Sequence, residues 1–243
     1  MRLAQDKMTA FLFDIDNTLT PPRQKIDASF LMFFLGWMKD KNVYLVTGSN
    51  EKKIKEQLPT SLLGRCAGIF SNMGNKFTID NKIIYENLWK PNLKLLKYLS
   101  EQRNNSSYPN KKAVWWESRI GMMNYTTAGR SSSNHERSAY EEWDIENLER
   151  QRITSEIEEK FPDLEAKLGG QISIDIQPKG NNKSLASKWI RKNKTKDMVF
   201  FGDKCFEGGN DYDVKVDVLE NGGTVFEVGE YRSTLSILEN ADL

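Results

Sequence analysis

Short apolar runs separated by charged stretches organise the first eighty residues and the last sixty of the chain. Ala10 to Phe13, Val43 to Val46 and Gly68 to Ser71 show almost no polar alternation, as expected of strands buried on both faces of a parallel sheet. Between the first two lies Phe30 to Met38, closed by Lys39, Asp40 and Lys41. It is about half of the roughly 20 residues that a membrane-spanning helix needs, and it reads as a buried core helix. After Val46, the side chains of Thr47, Ser49 and Asn50 can cap a charged helix predicted over Glu51 to Leu58. Phe77 to Ile79 and Ile83 to Tyr85, joined around Asp80 and Asn81, predict an antiparallel β-hairpin. From Ser184 the alternation of strand and helix returns: helix Leu185 to Arg191, strand Met198 to Phe201, strand Thr224 to Val228 and helix Thr234 to Glu239.

The middle of the chain follows a different rule. A polar stretch with Pro109, Asn104 to Asn110, precedes predicted strands at Val114 to Glu117, Met122 to Thr126 and Gln171 to Ile176. Between them Ile145, Leu148, Ile153, Ile157 and Phe161 recur at helical spacing among Glu and Arg. The pattern predicts an α+β insert, residues 84–184, interrupting one α/β core formed by residues 1–83 and 185–243.

With 243 residues, 38% hydrophobic and 28% charged, the chain can bury a sizeable core and is neither disordered nor collagen-like. Lys and Arg total 35 against 34 acids, so no global field gathers nucleic acid or a membrane, and no such partner is expected. Met1 to Lys7 is polar and carries no cleavable signal pattern. Two distant cysteines, Cys66 and Cys205, exclude a disulfide scaffold and point to a reducing cytoplasm. His135 is the only histidine, so chemistry must run on carboxylates, lysine or hydroxyls.

Four places carry such chemistry. Asp14-Ile15-Asp16-Asn17-Thr18 stands at the carboxyl end of the first strand, where open α/β sheets place ligands. Two carboxylates so close repel unless a cation or phosphoryl group lies between them. Gly202-Asp203-Lys204, followed by Gly208-Gly209-Asn210-Asp211, is a second acidic pair at a strand end, with oxygen ligands suited to magnesium. Lys183 opens a predicted helix and can neutralise a phosphoryl group, and Thr47 adds a hydroxyl at the end of the second strand.

In this order the four elements resemble the motifs of the haloacid dehalogenase superfamily of phosphotransferases. More closely, Asp14 to Ile26, Gly169-Gly170-Gln171-Ile172-Ser173-Ile174-Asp175 and Phe200 to Asp211 resemble the eukaryotic-type phosphomannomutases, as does the placement of Arg119, Arg130 and Arg137, spaced 11 and 7 apart, with Gly121-Met122, Asn124 and Gly129. The likeness implies a haloacid dehalogenase-like Rossmannoid core with a parallel sheet and an inserted α+β cap. It implies Asp14 as a nucleophile that becomes an aspartyl phosphate, Asp16 as general acid and base, and assistance from Lys183 and Thr47. It also implies Mg2+ held by Asp14, the Asp16 carbonyl, Asp203 and Asp211. Arg119, Arg130 and Arg137 would grip the non-reacting phosphate, Ser173 and Asp175 the sugar hydroxyls, and Arg23 would close the contacts from the core. The implied activity is exchange of mannose 6-phosphate and mannose 1-phosphate, supplying GDP-mannose, with a hexose 1,6-bisphosphate as activator. Mannose or glucose phosphates are the implied partners, in a cytoplasmic homodimer joined through its caps. A sugar-phosphate phosphatase and a catalytically impaired phosphosugar-binding protein remain as alternatives. Four departures stand out: Asn17 where the family usually has Gly, Asn72-Met73-Gly74 for Glu-Asn-Gly, Asn181-Asn182 for Trp-Asp, and Cys205-Phe206-Glu207 for Thr-Met-Pro.

Overall fold

A computed structural model describes residues 8–241; the N-terminal stretch Met1 to Lys7, read above as lacking a signal pattern, lies outside them. The chain runs β1 (Ala10–Phe13), α1 (Ala28–Trp37), β2 (Asn42–Val46), α2 (Glu51–Gln57), α3 (Thr60–Leu63), β3 (Gly68–Ser71), β4 (Lys76–Ile79) and β5 (Lys82–Glu86). It continues through α4 (Leu93–Asn105), β6 (Trp116–Arg119), β7 (Met122–Tyr125), α5 (Asn134–Asn147), α6 (Glu149–Lys160), β8 (Leu164–Leu168) and β9 (Ile174–Pro178). It closes with α7 (Ser184–Asn193), β10 (Met198–Gly202), α8 (Tyr212–Glu220), β11 (Thr224–Glu227) and α9 (Tyr231–Asn240).

One sheet has the order β11-β10-β1-β2-β3-β4-β5, parallel from β11 to β3 and antiparallel beyond. Successive side chains of β1 point to opposite faces, so Phe11 and Phe13 join Phe30 and Phe34 of α1, whereas Ala10 and Leu12 join Ile190 of α7 and Val214 and Val218 of α8. Phe13 stacks on Phe201 of β10 at 4.7 Å and meets Phe34 edge-on at 5.2 Å. These contacts align the carboxyl ends of β1, β2 and β10, so Asp14, Thr47 and Asp203 emerge side by side.

The second sheet, β6-β7-β9-β8, is antiparallel throughout. Met123, Tyr125, Ile174, Ile176, Leu164 and Ala166 face α4 and α6 and form its core. The same two-residue period sends Asn124, Asp175, Gln177 and Glu165 to the opposite face, and all four are buried because that face lies against the first sheet's loops. The chain crosses between the sheets twice, and one buried residue holds both crossings. Asn75 accepts from Asn87 N through its carbonyl (2.8 Å), and its amide donates to Asn181 O (3.0 Å).

Several expectations shift. The strands predicted at Val114 to Glu117 and Gln171 to Ile176 lie two to three residues later, as β6 and β9. The single helix predicted from Ile145 to Phe161 is two, broken at Leu148, whose φ of 51° is left-handed. The Asp144 carboxylate fastens the break by accepting from Arg150 N (2.9 Å) and Nε (2.7 Å). The hairpin forms with Asp80 and Asn81 at φ 48° and 61°, the conformation a tight primed turn demands. It also carries β5 in the first sheet to Glu86, so the boundary expected at residue 83 falls inside a strand.

Candidate active site

At the strand ends, ligand oxygens of Asp14, Asp203 and Asp211 lie within 4.8 Å of one another. Lys183, fully buried, donates to Asp14 Oδ1 (2.8 Å), Asp211 Oδ1 (2.7 Å) and Asn210 Oδ1 (3.3 Å). Burial lowers a lysine's proton affinity, but Asp14 and Asp211 outweigh it and hold this ammonium charged. The acids are poorly compensated. Burial pushes the Asp14 carboxyl well above the usual range despite Lys183, and burial together with the charge of Asp211 lifts Asp203 to about 6. Three carboxylates against one ammonium leave an excess of negative charge that a hard divalent cation with oxygen ligands would balance, so the donor set fits such an ion. Asn17, at φ 60°, turns its amide onto Asp203 Oδ2 (2.8 Å).

Asp16 stands apart from that cluster. Its Oδ1 accepts from Arg23 N (2.7 Å) and from Gln57 Nε2 (2.8 Å), an amide that the sequence reading did not single out. Thr47 is buried and accepts from Ser49 N (3.1 Å), while the cap of α2 is Asn50, which accepts from Lys53 N (3.0 Å).

The second sheet supplies the opposite wall. Arg119 reaches across to the first domain's backbone, donating to Gly48 O (2.7 Å), and also to Glu117 Oε2 (2.9 Å). Arg130 donates to Glu117 Oε2 (2.8 Å) and to Asn124 Oδ1, and Asn124 in turn donates to Asp175 Oδ1 (2.6 Å). Arg137 is held by backbone carbonyls of Ser132 (2.9 Å) and Arg130 (3.0 Å). Burial lowers Arg130 and Arg137 to about 10, aided by Arg119 and Arg23 for the former and by Arg23 and Arg130 for the latter. Guanidiniums that repel one another in this way are relieved by an anion placed between them. Against burial, Arg119 and Arg130 keep Glu117 below the ordinary carboxylate value. Asp175 is raised by burial, with Arg119 opposing. A Cβ on Gly169 would lie 2.7 Å from Ser173 Oγ, so a side chain there would push Ser173 from its place in the cleft.

Asp14, Asp16, Arg23, Thr47, Arg119, Arg130, Arg137, Ser173, Asp175 and Asp203 thus line one cleft with a cavity volume of about 70 Å³, with Lys183 and Asp211 buried at its floor. Of the two residues that orient the arginines, Asn124 stands where the family likeness places it, whereas Glu117 gave only a strand pattern in the sequence. Glu141 also lines the wall without any motif to mark it, hydrogen-bonded at 2.9 Å to Gln171 of the Gly169 to Asp175 segment. Cys205 is buried, and burial holds its thiol protonated.

Among solved structures, the chain resembles the C-terminal domain of Candida albicans trehalose-6-phosphate phosphatase, with a TM-score of 0.65, 14% identity and 96% of this chain and 91% of that one covered. It also resembles a haloacid dehalogenase-like hydrolase from Bacteroides thetaiotaomicron, with a TM-score of 0.58, 12% identity and 96% and 99% coverage. At these identities the likeness establishes the fold, a haloacid dehalogenase-like α/β core with a further α+β sheet. In sequence it is 34% identical to phosphomannomutase 1 of Dictyostelium discoideum, over 86% of this chain and 87% of that one. It is 31% identical to phosphomannomutase of Saccharomyces cerevisiae, over 89% of each. A family model described as eukaryotic phosphomannomutase matches residues 31–239. A span of that length, together with relatives above 30% identity along most of the chain, places this protein in the eukaryotic phosphomannomutase family of enzymes.

Proposed function

We propose that the protein interconverts mannose 6-phosphate and mannose 1-phosphate through an aspartyl phosphate on Asp14, with a hexose 1,6-bisphosphate as activator and intermediate. The observation that carries this reading is the pair of opposed charged walls, each of which suits a phosphate. The acidic floor with Lys183 lies on one side of the cleft and Arg119, Arg130 and Arg137 on the other. A hydrolase needs one such site, whereas a bisphosphate that turns end for end needs both.

In the transfer, an Asp14 oxygen attacks phosphorus, the bond from phosphorus to the sugar oxygen breaks, and Asp16 gives its proton to that oxygen. In the reverse direction Asp16 takes the proton from the other sugar hydroxyl as that oxygen attacks the phosphoaspartate. Asp16 suits this work because Arg23 N and the Gln57 amide fix one of its oxygens. Lys183 steadies Asp14, and Mg2+ held by Asp14, Asp203 and Asp211 supplies charge neutralisation for the phosphoryl oxygens when bound. Ser173 and Asp175 meet the sugar hydroxyls, and the seated second sheet keeps water from the acyl phosphate.

The chain is further proposed to act in the cytoplasm, feeding GDP-mannose synthesis, as a homodimer through the second domain (residues 84–184 on the sequence division). Support for the last point is the edge position of β6, next to exposed Val114 and the Trp115–Trp116 pair. Both cysteines are free, and among the described residues no helix is long and apolar enough to cross a membrane.

Phosphorus NMR of the protein with Mg2+, mannose 1-phosphate and a trace of glucose 1,6-bisphosphate tests the function. Growth of the 6-phosphate signal is expected, and it should vanish in Asp14→Asn. Release of inorganic phosphate alone would replace the mutase by a phosphatase.

A further inference from the structure

Strand β8 carries a buried acid with no obvious reason to be there. Glu165 lies on the polar face of its sheet, opposite Gln177 of β9 in the strand register, and forms no ion pair among the described residues. Its neighbour on that face, Lys167, pairs instead with Asp213 of α8 (3.4 Å). Two amides satisfy the carboxylate: Gln177 Nε2 donates to Oε1 (3.2 Å) and Asn182 Nδ2 to Oε2 (3.1 Å). A buried acid held only by neutral donors costs stability, so its position calls for an explanation in geometry.

Asn182 supplies one. While its Nδ2 is committed to Glu165, its Oδ1 accepts from Ser184 N (3.0 Å) and Ser184 Oγ (2.6 Å), fastening the first turn of α7. Lys183 stands between these two residues, and its ammonium meets Asp14 at 2.8 Å and Asp211 at 2.7 Å. The same strand is seated at its other end by Leu168 N donating to Gly208 O (2.9 Å), in the loop that leads to Asn210 and Asp211.

We propose that Glu165 is a positioning residue for phosphoryl transfer: by fixing the Asn182 amide when β8 is seated on the core, it sets where Lys183 meets Asp14 and Asp211. This rests on the reading of Asp14 as the phosphorylated residue. It also gives a local reason for asparagine at position 182, since an aspartate there would face Glu165 carboxylate to carboxylate.

The decisive comparison uses Asn182→Asp and the double variant Glu165→Gln/Asn182→Asp. In the single variant Ser184 keeps an acceptor, and only the contact with Glu165 turns repulsive. In the double variant donor and acceptor exchange places and the contact returns. The readout is the single-turnover transfer of label from 32P-glucose 1,6-bisphosphate to the protein, a step shared by a mutase and a phosphatase, together with the melting temperature. For Asn182→Asp the maximal rate constant is expected to fall at least tenfold with the half-saturating concentration unchanged within twofold, and the double variant to recover to within threefold of wild type. An unchanged rate in Asn182→Asp, or a double variant as slow as the single one while melting like wild type, overturns the proposal. Should Asn182→Asp fail to fold, Glu165→Gln alone must lower the maximal rate constant at least threefold at constant half-saturation, and an unchanged rate refutes it. Wild type that labels but makes no 6-phosphate sinks the mutase reading and leaves this comparison intact, whereas wild type that never labels overturns both.

Discussion

Replacing Asp203 by Asn should make the metal-free protein more stable while removing much of its response to Mg2+. The carboxyl is held at about 6 by burial and by Asp211, against an ordinary value near 3.8. A group whose folded-state pKa is raised contributes stability fully present below its unfolded value and lost as pH rises through the folded one. Between about pH 4 and 6 the metal-free protein therefore loses stability on this account, and at pH 8 the whole penalty stands. A shift of roughly two units corresponds to a ceiling of ~3 kcal/mol. For a chain of this size that is ~6–12 °C in melting temperature. Asparagine never ionises, and its oxygen can still accept from the Asn17 amide that now meets Asp203 Oδ2 at 2.8 Å. Packing is therefore kept while the charge is lost. The assay is thermal melting of both proteins at pH 8 and pH 4, each with excess EDTA and with excess Mg2+. The variant should melt higher in EDTA at pH 8, match wild type at pH 4, and gain less from Mg2+, since ligand stabilisation follows affinity for the folded state. Equal melting in EDTA at pH 8, or an equal gain from Mg2+, would refute the charge accounting.

Arg137→Ala should lower kcat/KM for mannose 1-phosphate by ~2–3 kcal/mol, roughly 30- to 150-fold, because the guanidinium uses only two of its five donors on backbone carbonyls and keeps the rest for phosphate. Steady-state kinetics with unchanged efficiency would remove it from the anion site. Leu148→Gly should stabilise the fold by ~1 kcal/mol, since Leu148 is exposed and left-handed; an urea melt with a lower midpoint would contradict this.

The parallel strands were legible because burial on both faces leaves apolar runs with nothing to confuse them, and β1 and β3 have the bounds their sequences suggest. In the second sheet that signal is halved. β8, Leu-Glu-Ala-Lys-Leu, is built from good helix formers and becomes a strand only by pairing with β9. The break at Leu148 was hidden because no glycine marks it; a side chain six residues away in sequence from Arg150, Asp144, sustains it. The acids at the strand ends could be placed from the strands that deliver them. Glu117 and Gln57 could not, because each acts through a partner distant in sequence, and no local pattern records that.

The two chain crossings held by Asn75 give the cleft its mechanics. A lid tethered by one strand can swing and twist, and one tethered by two independent strands can shear. Here both tethers converge on one buried asparagine, which binds Asn87 through its backbone and Asn181 through its side chain. A single shared anchor favours rotation about an axis near Asn75 over shear. Any opening about that point would retrace one arc and bring the arginine wall back to the same register over the acidic floor.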